Sequence, residues 1–251
     1  MIRKVVLTGG SGYIGSNLAR KLYTLGYDIY VIVRQDSRLD LICDIEKNIN
    51  IYYFDGKILS LNNFMNEIKP DLVIHLASLF INEHTTLQID ELINSNILFS
   101  TQLIETSLRA NVKYFINTGT HWQNYNGENY NPVNLYAATK EAFQNICKYY
   151  SEVTDMSIIT IKLIDTYGPY DPRPKIMNLL KDIYFNKKTL NMSSGEQELG
   201  LLYIEDVIKA YLIAIEKIQK MNPKECSNFF CTAKKNIFTK RSCGHISVCC
   251  R

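Results

Sequence analysis

The sequence has no apolar run long enough to cross a membrane, and its first residues, MIRKVVLTGG, pass from two basic side chains into an apolar stretch too short for a signal-peptide core. Both absences point to a cytoplasmic protein with no membrane partner. Long runs of Lys or Arg are missing as well. With 28 basic against 25 acidic residues the net charge is only +3, so no nucleic-acid partner is indicated. No internal repeat or low-complexity segment occurs. Cysteine is scarce in the body of the chain, where only Cys43 and Cys147 occur before residue 225; Cys226, Cys231, Cys243, Cys249 and Cys250 crowd the end.

What is present is enough apolar material for a large core: 251 residues at 46% hydrophobic content fit one large domain, or one with a smaller companion. The apolar run Val5 to Thr8 breaks at Gly9 into GGSGYIG, and Ile14, Leu18 and Leu22 then recur at helical spacing. A second strand follows at Asp28 to Val33, completing strand, glycine turn, helix and strand. Gly9, Gly12 and Gly15 therefore stand where a dinucleotide fingerprint belongs. Gly9 would allow the tight turn, Gly12 the approach of a pyrophosphate, and Gly15 close packing of helix on strand, with Tyr13 and Ile14 in the same cofactor-binding turn.

The second strand ends without the acidic residue that would bind the adenosine ribose of NAD. Arg34 stands there instead and favours the 2′-phosphate of NADP, with Arg38 able to assist; NAD remains possible. Further strands are expected at Ile51 to Phe54, ending at Asp55 and Gly56, and at Asp71 to Leu76, opening into Ala77 and Ser78. These ends complete the expected cofactor surface, the small residues leaving room for a flat ring. Residues 92 to 110 read as a helix in which Asn96 is a satisfied structural amide. A strand at Tyr114 to Asn117 is broken by Thr118-Gly119-Thr120 and leads into a polar aromatic loop. Strand and helix alternate throughout, so the fold class is α/β, a doubly wound parallel sheet.

Tyr136 and Lys140 lie four apart where that loop becomes a helix, and hence on one helix face. An ammonium beside a phenol in a cleft would pull the phenol pKa down and poise it to move a proton.

The segments TGGSGYIG, VIHLAS, NTGT, YAATK, TYGP and SGEQELGLLYIEDV together resemble the extended short-chain dehydrogenase/reductases, a family of nucleotide-sugar epimerases, dehydratases and 4-ketoreductases. The resemblance spans residues 3 to 215. It implies a Rossmann domain over 1–165 and a smaller substrate lobe over 166–251, a nucleotide-diphosphate sugar as substrate, and a homodimer. By the same resemblance Tyr136 would be the acid/base, Lys140 would bind the nicotinamide ribose, and Thr120 would hold the substrate oxygen, with Thr118 in reserve.

Absent residues narrow the reaction the resemblance implies. Family 4,6-dehydratases carry Asp-Glu after the threonine, where this chain has His121 and Trp122; the epimerase-reductases use a cysteine, and none lies near NTGT. Reduction of a 4-keto sugar by NADPH remains, as in the CDP-abequose and CDP-paratose synthases of surface polysaccharides. The alternatives are 4-epimerisation through NAD and a non-catalytic cofactor-binding protein.

Some positions depart from the family pattern: Leu199, Gly200 and Leu201 after the GEQ segment, and Lys162 and Asp165 before YGP. Arg173 and Lys175 are candidate diphosphate contacts. The ending IFTKRSCGHISVCCR suggests an incomplete lobe with an atypical tail over 237–251, produced by truncation or an altered reading frame. Zinc held by Cys243, His245, Cys249 and Cys250 is the alternative there, but the spacing matches no standard knuckle, so no metal is expected.

Overall fold

The structure, a computed structural model, describes residues 2–187 and 200–232 and the backbone of Val248 and Cys249. In chain order it runs β1 (Lys4–Thr8), α1 (Tyr13–Thr24), β2 (Asp28–Arg34), β3 (Asn50–Phe54), α2 (Ile58–Ile68), β4 (Leu72–His75), α3 (Ile89–Ile93), a π turn (Asn94–Leu98), α4 (Phe99–Arg109), β5 (Tyr114–Thr120), α5 (Leu135–Val153) and β6 (Ser157–Leu163). Then follow β7 (Asp165–Tyr167), α6 (Ile176–Asn186), β8 (Leu201–Tyr203), α7 (Ile204–Ile218), β9 (Cys226–Thr232) and β10 (Val248–Cys249).

Eight strands form one parallel sheet in the order β10-β9-β6-β5-β4-β1-β2-β3, and β7 pairs with β8 in a small second sheet. From β1 the chain winds first toward β3 and then back through β4 to β6. The carboxyl ends of β1 and β4 therefore flank the switch point where such sheets take ligands.

The central strands are apolar on both faces because helices cover both. Val5 and Leu7 point into one core with Leu18 and Leu22 of α1 and Val207 and Ile215 of α7. Val6 points into the other with Leu61 and Met65 of α2, Leu103 of α4 and Phe143 of α5. This two-residue alternation is that of a sheet buried on both sides.

Three features differ from the sequence reading. β5 does not break at Thr118: it continues to Thr120, with Thr118, Gly119 and Thr120 paired to Ile161, Lys162 and Leu163. A hydrogen-bonded neighbour on β6 thus overrides the local break signal of a Thr-Gly-Thr run. The helix expected over residues 92 to 110 starts at Ile89 and carries a π turn. Beyond residue 165, α7 packs on α1 and the sheet while β9 hydrogen-bonds to β6, so the main layer extends past the boundary drawn at that residue. The GEQ segment and the side chains of the atypical tail, including those of the four candidate zinc ligands, lie outside the described residues. Among the described residues no helix is long and apolar enough to cross a membrane, and no cluster of metal-ligating side chains forms.

Candidate active site

The glycine turn follows from close contacts. Gly9 sits at φ +72°, and a Cβ on it would lie 2.7 Å from the Ala77 nitrogen at the end of β4. A Cβ on Gly15 would lie 2.1 Å from the Gly9 carbonyl oxygen, so α1 rests directly on the turn. Gly12 is different, since a Cβ there would meet only the Gly9 oxygen, at 3.3 Å. Internal packing thus demands glycine at 9 and 15 far more than at 12. Gly12 is the N-cap of α1 and has no capping side chain, leaving the positive end of the helix directed at the turn. The sequence reading missed Gly10, where a Cβ would lie 2.5 Å from Val31.

The remaining expected cofactor residues divide by their partners. Ile14 packs on the core from the first turn of α1, and the Tyr13 ring is buried under the Arg173 guanidinium, its hydroxyl donating to the Pro169 carbonyl at 3.2 Å. Arg34 is exposed at the end of β2 and pairs with Asp36 at 3.4 Å; Arg38, also exposed, pairs with Asp40 at 2.7 Å. Asp55 accepts from the Lys57 N–H and the Ser60 hydroxyl, so its carboxylate braces the start of α2, and these bonds hold it below the usual carboxylate range. Gly56 takes φ +84° in that turn.

Beneath the Leu76-Ala77-Ser78 loop lies a polar chain. Thr8 Oγ1 is 2.7 Å from His75 Nδ1, His75 Nε2 is 2.9 Å from the Ser100 hydroxyl, and the Ala77 N–H donates to Thr8 Oγ1. Burial drives the His75 pKa well below its ordinary value, so the ring is neutral. Asn96, on the π turn, accepts from the Ser78 hydroxyl and the Leu79 N–H and donates to the Leu79 carbonyl and Thr139 Oγ1. It is the satisfied amide expected from the sequence, and it joins the loop after β4 to α5.

Asn134 caps α5 by accepting from the Ala137 N–H at 2.9 Å, which places Tyr136 in the first turn and Lys140 one turn deeper. The Tyr136 ring meets Phe80 edge-on at 5.0 Å, and the Trp122 ring lies tilted 5.7 Å from Phe80. Lys140 is 3% exposed and donates to the Thr118 carbonyl at 2.9 Å.

Here the electrostatic expectation is reversed. Burial pushes the Tyr136 phenol up to about 12, with a hydrogen bond to Ser78 opposing and Asp165 adding to the rise. Burial also drives the Lys140 ammonium down to about 8. Removing either charge from water outweighs what the neighbour returns.

The two threonines have distinct surroundings. Thr118 Oγ1 is 2.6 Å from the Tyr211 hydroxyl, whereas Thr120 Oγ1 accepts a 3.3 Å bond from the Trp122 N–H and retains its own proton to donate. The loop after Thr120 stands on a buried ion pair: Lys162 lies 3.6 Å from Glu141, which accepts from Gln123 at 2.7 Å. His121 meets Phe230 edge-on, and burial followed by Lys162 lowers its pKa, leaving it neutral. Of the candidate diphosphate contacts, Arg173 is engaged by Asp171 and Thr166. Lys175 binds Asp165 at 2.8 Å and lies 4.8 Å over the Phe80 ring.

A fingerprint turn at the β1 end, a clipped loop at the β4 end and a first-turn tyrosine on α5 define a lineage, and residues 5–228 match the NAD dependent epimerase/dehydratase family. The chain belongs to this family. Among its epimerase/dehydratase relatives, the CDP-abequose synthase of Yersinia pseudotuberculosis is 32% identical over 213 residues, 84% of this chain and 73% of that protein. The dTDP-D-glucose 4,6-dehydratase of Dictyostelium discoideum is 29% identical, and the match covers 86% of this chain but only 56% of that one. The UDP-glucose 4-epimerase of Thermotoga maritima superposes with a TM-score of 0.78 at 21% identity, over 90% of this chain and 76% of its own, and shares the fold.

Several site residues gave no sequence signal as parts of a site: Tyr211, Glu141, Ser100 and Phe80. His75 and Lys162 did offer one, His75 as the one polar residue of β4 and Lys162 as the one charged residue of β6.

Proposed function

We propose that the chain reduces the C4 keto group of a nucleotide-diphosphate deoxysugar with a nicotinamide dinucleotide, NADPH preferred, a reading supported by its similarity to proteins named CDP-abequose synthase. The carrying observation is the surroundings of Tyr136: a phenol held protonated by burial, with Lys140 one turn further along α5, and no carboxylate at positions 121 and 122 to eliminate water. A protonated phenol suits reduction, where the forming alkoxide needs a proton.

The turn at Gly9–Gly15 fits a pyrophosphate, because the helix N-terminus at Gly12 has no capping side chain and a Cβ there would meet only the Gly9 oxygen, at 3.3 Å. Bound there, a nicotinamide dinucleotide supplies the hydride. Tyr136 donates the proton, Thr120 fixes the carbonyl by a hydrogen bond, and Lys140 steadies the ribose. Phe80 and Trp122 form an apolar wall beside the phenol, suited to the C–H face of a deoxygenated sugar.

The Arg34–Asp36 pair favours a second reading, since it offsets the charge that would recognise a 2′-phosphate. In that reading NAD is the cofactor and the reaction is 4-epimerisation. Oxidation of NADPH and NADH with CDP-, dTDP- and GDP-4-keto sugars tests both. NADPH-dependent consumption of a CDP-4-keto-deoxysugar supports the first; interconversion of C4 epimers without net oxidation replaces it, and cofactor binding without turnover on any substrate rejects both.

A further inference from the structure

One buried ionisable group next to the proposed chemistry has no part in it so far. Tyr211 is fully buried on the inner face of α7, where its neighbours Val207, Ala214 and Ile215 are apolar. Phenylalanine would fill this space without bringing a polar atom into it, and a buried hydroxyl left unbonded costs about 1–3 kcal/mol. The Tyr211 hydroxyl is bonded: it lies 2.6 Å from Thr118 Oγ1.

Thr118 is therefore held through two of its groups by two different helices. Its hydroxyl meets Tyr211 of α7, and its carbonyl accepts from the Lys140 ammonium of α5 at 2.9 Å. A shift of Thr118 would take the Lys140 acceptor with it.

We propose that Tyr211 is a positioning residue for the acid/base pair: its hydroxyl fixes Thr118 at the end of β5, and the Thr118 carbonyl in turn fixes the Lys140 ammonium behind Tyr136. This rests on the reading of Tyr136 and Lys140 as the reacting pair. It adds α7, which follows β8 from beyond residue 200, to the elements that set the chemistry.

The test compares Tyr211→Phe, Thr118→Val, Thr118→Ser and the double variant Tyr211→Phe/Thr118→Val. With the fold retained, Tyr211→Phe should lower kcat about tenfold and leave the KM for NADPH within about twofold. Thr118→Ser should retain activity, and the double variant should lose no more than Thr118→Val alone, since both changes cut one bond. NMR titration of labelled lysine side chains, with Lys140 assigned from its loss in Lys140→Arg, gives a readout independent of turnover. Its midpoint should fall by about half a unit in Tyr211→Phe as the ammonium loses a fixed acceptor. An unchanged midpoint, or losses that add in the double variant, overturns the proposal. Wild-type protein inactive on every 4-keto sugar defeats the functional reading instead, and the titration still decides the role of Tyr211.

Discussion

The ammonium of Lys140 donates to the backbone carbonyl of Thr118 at 2.9 Å, and the lysine is almost wholly shielded from water. Burial brings its pKa from 10.5 down to about 8. Between those values the unfolded chain holds more protons than the folded one, so stability rises with pH through that window; below it both states are charged and the cost of burial is constant. Against Lys140→Met, which cannot titrate, the wild type should gain about 3 kcal/mol between pH 8 and 10.5. Urea unfolding of both proteins at fixed pH values checks this, and parallel curves would show that the lysine is not desolvated.

Tyr136→Phe removes the proposed proton donor while keeping the ring against Phe80. Turnover should fall about 10²-fold or more, with cofactor affinity nearly unchanged. Fluorescence titration with NADPH beside steady-state rates separates the two effects, and unchanged turnover would remove Tyr136 from the role.

The glycines of the turn should respond differently to the same added methyl group. Gly15→Ala places a carbon 2.1 Å from the Gly9 oxygen and should destabilise the fold by about 2 kcal/mol or more. Gly12→Ala meets only one atom, at 3.3 Å, and should cost about 1 kcal/mol or less while blocking the dinucleotide. Thermal melts with and without cofactor distinguish a packing glycine from a binding one; equal melting losses in the two variants would refute the distinction.

Arg34 and Asp36 should act in opposite senses on cofactor choice. Arg34→Ala should raise the KM for NADPH about tenfold and hardly change that for NADH, because only the former carries the 2′-phosphate. Asp36→Ala releases Arg34 from its 3.4 Å pair and should improve NADPH. Equal effects on both cofactors would separate Arg34 from the phosphate.

The parts of this site visible in the sequence were those encoded by neighbours in the chain. The run from Val5 to Gly15 states strand, turn and helix in order, and Tyr136 with Lys140 needs only one helical turn to share a face. What stayed hidden depends on distant partners. The Tyr211 and Thr118 hydroxyls are 93 positions apart, and Lys162 meets Glu141 across two elements. The direction of the Tyr136 shift was missed for the same reason: spacing shows a nearby ammonium, whereas the depth of both groups is a property of the whole fold. Arg173, a candidate diphosphate contact by its position, is instead engaged by Asp171 and Thr166.

The π turn at Asn94–Leu98 carries a mechanical consequence for the helix around it. Each residue of an ordinary α-helix advances the side chains by about 100°, so a wide turn rephases everything on one side of it against the other. α4 keeps Leu103 and Ile104 in the core while Asn96, within the turn, grips the loop after β4 and Thr139 of α5. Deleting one residue between Asn96 and α4 would let the helix run smoothly and swing that amide away from its four bonds. Regular helical phase and a fastened loop are alternatives in this chain, and the fold has taken the second.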